Sequence, residues 1–150
     1  RFSQFLVGAH IAATLGDGGA AARRVAEANT LRAAQSLEVS PVLQVRLETL
    51  AGAVSSLAGE IAVADRHFNA AARMAAGTGD GAWSAAWRNH LAWAEHLSRN
   101  GRDAEALAQE ALALALLEAQ GAGLDSALRQ RLRARVGGAA PTIRSADERS

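Results

Sequence analysis

Apolar residues recur along this chain at helical steps, and the runs break at regular intervals. From Pro41 onward they fall at Leu43, Leu47, Leu50, Val54 and Leu57, an unbroken four-three-four-three stripe that marks one face of an amphipathic helix. Ser40-Pro41 supplies its start, with Ser as N-cap and Pro at the first helical position. Gly59 stops it. The same logic predicts helices over residues 2–15, 20–37, 60–76, 103–119 and 124–136, and one between Asp80 and Asn100-Gly101. Residues 77–81 read as a loop with Asp80 as N-cap of the helix that follows. That helix carries Trp83, Trp87, His90, Leu91, Ala94 and Leu97 along one side, and the spacing predicts stacking of His90 between Trp87 and Trp93. The helix over 103–119 is apolar on more than one face and needs cover on both. The last helix supplies it with Leu124, Leu128, Leu132 and Val136, while Arg129, Arg131, Arg133 and Arg135 occupy its other sides. This is the pattern of a capping helix, apolar inside and charged outside. Residues 137–150 carry Gly, Pro and charge without periodicity and read as a flexible tail.

A short phrase occurs three times. Residues 15–28, 58–71 and 100–113 align without gaps, and their glycines fall at 16, 59 and 101, so they are 43 and 42 residues apart. A fixed period of this size marks a stacked repeat architecture. Each glycine ends one helix, in the left-handed conformation that Gly adopts cheaply. Five residues on stands a small residue, Ala21, Ala64 or Ala106. Four further stands a larger apolar one, Val25 or Phe68, with Glu110 as the exception. Three more bring Ala28, Ala71 or Ala113. Small residues at these steps let the second helix lie close against the first.

These residues resemble the tetratricopeptide repeat, which has Gly between its helices and Ala, an aromatic and Ala in the second. The resemblance covers about residues 2–119, and Leu91 to Ala113 is its most typical stretch. The period is longer than the common one and is similar to the long repeats in C-terminal regions of bacterial LuxR-type and SARP-type transcriptional regulators. It implies an all-α, right-handed superhelix of about seven helices. Three hairpins, over residues 2–37, 41–76 and 80–119, would be followed by a cap over 124–136, so that one repeat domain spans residues 1–136. It also implies a groove lined by first helices that takes a protein or peptide. Carried over by register, the groove residues are Ser3, His10, Arg46, Thr49, Ser56, Arg88, Glu95, Ser98 and Arg99. Trp83 and Trp93 are the candidate aromatic anchors, because Trp dominates interface hot spots.

Composition supports the helical reading and narrows the chemistry. Ala occurs 38 times in 150 residues, and Ala is the best helix former. All 16 basic residues are Arg, against 15 acids. This near balance implies no strong polyanion partner, so no direct nucleic-acid binding is expected. The Arg and Ala bias fits a high-GC bacterial genome. The chain opens on Arg1 rather than Met and reads as a piece of a longer protein. Without Cys there is neither a disulfide framework nor thiolate chemistry. No apolar run approaches the ~20 residues of a membrane span, and no signal peptide is evident, so a cytoplasmic location is expected.

Candidate chemistry is thin. His10, His67, His90 and His96 have no His, Asp or Glu three or four residues away, the spacing that a metal site on one helix requires. They read as partly buried or interface histidines. A phosphate-binding P-loop needs a Lys, and the chain has none. The Gly-rich stretches 16–19 and 77–81 follow no strand, and no Gly-x-Ser-x-Gly nucleophile elbow occurs. Asp103, Glu105 and Glu110 read as a solvated helix face. No catalytic, metal or cofactor residue is assigned. The expected function is a non-enzymatic interaction or regulatory module of a larger bacterial regulator or signalling protein. The alternative is a sensor that binds a small effector in the groove.

Overall fold

The structure, a computed structural model, describes Gly16 and residues 18–35, 40–120 and 126–147. Ser3, His10 and the helix expected over 2–15 lie outside them. The described chain is all-helical. It runs α1 Gly18–Gln35, α2 Pro41–Leu57, α3 Ile61–Thr78, a short 3₁₀ turn Gly79–Ala82, α4 Trp83–Arg99, α5 Asp103–Ala119 and α6 Ser126–Asp147. Helices pack mainly on their chain neighbours, and α2 also packs directly on α4. The result is a row of antiparallel hairpins with the helical repeat arrangement that the periodicity predicts.

In its second and third copies the repeated phrase does the mechanical work assigned to it, while the helix expected before Gly16 lies outside the described residues. Gly16, Gly59 and Gly101 all have positive φ, at 78°, 77° and 72°. At Gly59 and Gly101 the turn is a double-bonded C-cap. Glu60 N–H donates to Ser55 O at 2.9 Å and Gly59 N–H to Ser56 O at 3.1 Å, while Arg102 N–H donates to Leu97 O at 2.9 Å and Gly101 N–H to Ser98 O at 3.1 Å. The small positions Ala21, Ala64 and Ala106, and Ala28, Ala71 and Ala113, are all buried. So are Val25, Phe68 and Glu110 at the larger position. Burying Phe68 contributes on the order of 2–3 kcal/mol.

Ser40 caps α2 as expected, accepting from Leu43 N–H at 3.3 Å. This helix buries two faces. Leu47 and Leu50 meet Val25 and Ala28 of α1. Val45, off the predicted stripe, enters a second cluster with Ala71, Ala75 and Ala85. Gly52 is buried against the Phe68 ring.

Four expectations are corrected. Asp80 caps no helix: α3 continues through Gly77 and Thr78, Gly79 stops it at φ 72°, and Ala82 occupies the N-cap of α4 without a side-chain bond. The tail expected over 137–150 continues α6 as helix to Asp147, although Gly137, Gly138 and Pro141 have low helix propensity. Leu112 of α5 stays 48% exposed, so α6 does not cover every apolar face of α5. His90 does not stack between tryptophans: its Nδ1 lies 2.7 Å from Gln109 Oε1.

Candidate functional site

The first helices of successive hairpins, α2 and α4, run side by side. Two polar bridges fix their register. Thr49 Oγ1 donates to Val45 O at 3.0 Å and to Asn89 Oδ1 at 2.9 Å, and Asn89 Nδ2 donates to Phe68 O at 3.0 Å. Seven residues on, Ser56 Oγ and His96 Nδ1 share a hydrogen bond of 2.7 Å. Asn89 and His96 are both fully buried. A fixed offset of forty residues between bonded partners makes α2 and α4 parallel.

Between them lies a groove of about 700 Å³. Leu50, Ala53, Leu57, Trp87 and Leu91 supply its apolar lining, and Arg46, Arg88, Glu95 and Arg99 its charges. Six of the nine residues carried over by register line it: Arg46, Thr49, Ser56, Arg88, Glu95 and Arg99. Thr49 and Ser56 are already engaged in the helix–helix bridges. Glu95 and Arg99 form an ion pair one turn apart. The Arg88 guanidinium sits 5.0 Å from the centre of the Trp87 ring, a cation–π contact. Neither Arg46 nor Arg88 has a carboxylate partner among the described residues.

Ser98 lies outside this groove. It lines a second cavity of about 320 Å³, between α4 and α6, and donates to Asp103 at 3.4 Å. The proposed anchors are placed elsewhere. Trp83 donates its indole N–H to Leu116 O at 2.6 Å, and Trp93 donates to Asp65 Oδ1 at 3.0 Å. Trp93 also stacks on Phe68 at 6.3 Å. Both indoles are half-buried, and their N–H groups are engaged between helices. Trp87 is the tryptophan that faces the groove, and its Nε1 is buried without a partner.

Behind the groove an ion network ties three helices. Asp65 of α3 accepts from Trp93 of α4 and from Arg102 NH1 at 2.5 Å, at the start of α5. Arg102 also grips Glu105 with two bonds, at 2.9 and 2.6 Å. Burial pushes the Asp65 carboxyl up, but hydrogen bonds from Arg102 and Trp93 outweigh it and hold the group below its ordinary range. His96 Nε2 is 3.6 Å from Asp65 Oδ1 and has no hydrogen bond. Burial drives its pKa below the ordinary 6.5, with Arg102 and Arg99 adding to the effect and Asp65 opposing it.

Asn89, Asp65, Arg102 and Gly52 escaped the sequence reading, which placed His96 only as a partly buried or interface histidine. One signal was available: Thr49 and Ser56, like Asn89 and His96, stand seven residues apart, and the two pairs share one offset. Glu110 was misplaced. It is buried rather than solvated, and its Oε1 is 3.1 Å from Arg135 of α6 while Oε2 has no partner. It occupies the position of Val25 and Phe68, which every repeat buries. Among the described residues no cluster of His, Asp or Glu has the makings of a metal site, and no helix is long and apolar enough to cross a membrane. No family model, curated protein or solved structure matches the chain.

Proposed function

We propose that this domain is a tetratricopeptide-type interaction module that holds a peptide segment of another protein between α2 and α4. The reading includes no catalysis, and its natural setting is the scaffold or sensor part of a larger bacterial transcriptional regulator or signalling protein. One observation carries it. The groove combines an apolar lining with two arginines, Arg46 and Arg88, that no carboxylate of the described chain neutralises. Apolar lining supplies affinity, and charge selects the partner.

Selection of short random peptides on the immobilised protein tests the proposal. Enriched peptides are expected to lose about tenfold or more in affinity for the Arg46→Glu/Arg88→Glu double variant. Failure to enrich any peptide, or unchanged binding to that variant, overturns it. A second reading, an effector sensor, is favoured by the groove volume, which lies within the range of small-molecule sites. It requires a small compound that raises Tm and displaces the selected peptides.

A further inference from the structure

The second cavity continues the groove. Leu91 and Glu95 of α4 line both, and beyond them stand Arg131, Leu132 and Arg135 of α6. Together the two cavities carry five arginines, Arg46, Arg88, Arg99, Arg131 and Arg135, against two carboxylates, Glu95 and Glu110. The pairing within this set is selective. Glu95 takes Arg99, and Glu110 takes Arg135. That leaves Arg46, Arg88 and Arg131, all exposed, with no ion-pair partner among the described residues. Each comes from a different helix: α2, α4 and α6.

We infer that these three arginines form a ladder for an acidic segment lying across α2, α4 and α6. The inference rests on the groove being a peptide site, and it adds the partner's chemistry, direction and length. Of these helices α2 and α4 pack directly, and packed helix axes lie about 8–10 Å apart. An extended chain advances about 3.3 Å per residue. The Arg46 and Arg88 rungs are therefore about three or four residues apart, while α4 and α6 face each other across the second cavity without close backbone contact, so the acid that meets Arg131 stands at a longer step. Apolar residues between them meet Trp87 and Leu91 in the first cavity and Leu128 and Leu132 in the second. In this view α6 is a third wall of the binding surface as well as a cap.

The probe is a fluorescein-labelled synthetic peptide of Glu, Thr, Ser and Val with Glu at every third or fourth position, followed by fluorescence anisotropy on the whole chain. Arg46→Gln, Arg88→Gln and Arg131→Gln are each expected to weaken binding about three- to tenfold. Arg73→Gln, an exposed arginine of α3 that lines neither cavity, is the control and is expected to change nothing. A peptide of the same composition with its acids gathered at one end is expected to bind more weakly. If Arg131→Gln matches the control while Arg46→Gln and Arg88→Gln still weaken binding, the ladder falls and the groove between α2 and α4 stands alone. If the spaced and clustered peptides bind equally, the spacing falls. If all four variants bind alike, or the probe does not bind, the ladder falls altogether, while peptides selected without regard to charge still judge the groove.

Discussion

At Gly52 a single methyl group decides the packing. A Cβ there would come within 2.9 Å of the Phe68 ring carbons. The ring cannot retreat easily, because Trp93 stacks on it and His96 lies 5.7 Å away. Gly52→Ala is therefore expected to destabilise the fold by roughly 1–3 kcal/mol through overpacking, read from the urea midpoint. His96 gives a pH signature. Folding holds its pKa below 6.5, so the unfolded chain binds the proton more readily. Stability is full above about pH 6.5 and declines as the pH falls below it. Asp65, also depressed, acts with the same sign in a lower window: its contribution is present above its ordinary 3.8 and fades as the pH falls below it. Thermal melts of His96→Gln are expected to lose the slope between pH 6.5 and 5 while keeping the steeper fall below pH 4. An unchanged slope would assign the acid sensitivity to another group.

At the scale of the element, the glycines divide by conformation. Gly101 sits at φ 72° with open space around it, and Gly77 is helical with equally open space. Gly101→Ala forces a side chain into the left-handed region and is expected to cost about 1–2 kcal/mol. Gly77→Ala is expected to stabilise by roughly 0.5 kcal/mol, because it lowers the entropy of the unfolded chain. Paired denaturation curves test both signs. Helix starts and stops were legible at this scale for local reasons. A Ser-Pro start and a Gly stop act within a few residues, and α2 and α5 begin and end close to where these signals put them. The second buried face of α2 was not legible. Val45, Thr49 and Gly52 acquire their roles from α3 and α4, which no periodicity within α2 reports. Glu110 failed for the same reason: its partner Arg135 comes from a helix twenty-five positions away. In the groove, register alone found Arg46, Arg88 and Arg99, because a repeat presents equivalent positions to the same side. It named Trp83 and Trp93 rather than the groove-lining Trp87, since an indole's allegiance depends on which carbonyl or carboxylate lies opposite it.

For the whole molecule, α6 is the last helix of the described residues and packs on α5. Leu132 covers Leu114 and Leu117, with Trp83, Trp87 and Leu128 packed around them. Two ion pairs, Arg133–Glu118 at 2.6 Å and Arg135–Glu110 at 3.1 Å, secure it to α5. A chain ending at Gln120 would expose this cluster and leave Glu110 without its guanidinium. It is expected to unfold several degrees lower and to self-associate in size-exclusion chromatography. A truncated chain that remained monomeric with an unchanged Tm would mean that α6 contributes nothing to the stack.

The forty-residue offset that aligns α2 with α4 also limits how far the chain must search as it folds. Thr49–Asn89 and Ser56–His96 are the most distant hydrogen-bonded pairs among the described residues, and every helix contact is with a next or next-but-one helix. The entropy of loop closure is met in small instalments, one hairpin at a time. Assembly can begin at an interior interface and spread outward, and opening should start at the ends. Amide exchange would then be slowest in α3 and α4, around the buried side-chain amide of Asn89, and faster in α6, whose backbone meets only α5 among the described residues. The third rung of the arginine ladder would therefore stand on the part of the molecule that opens first.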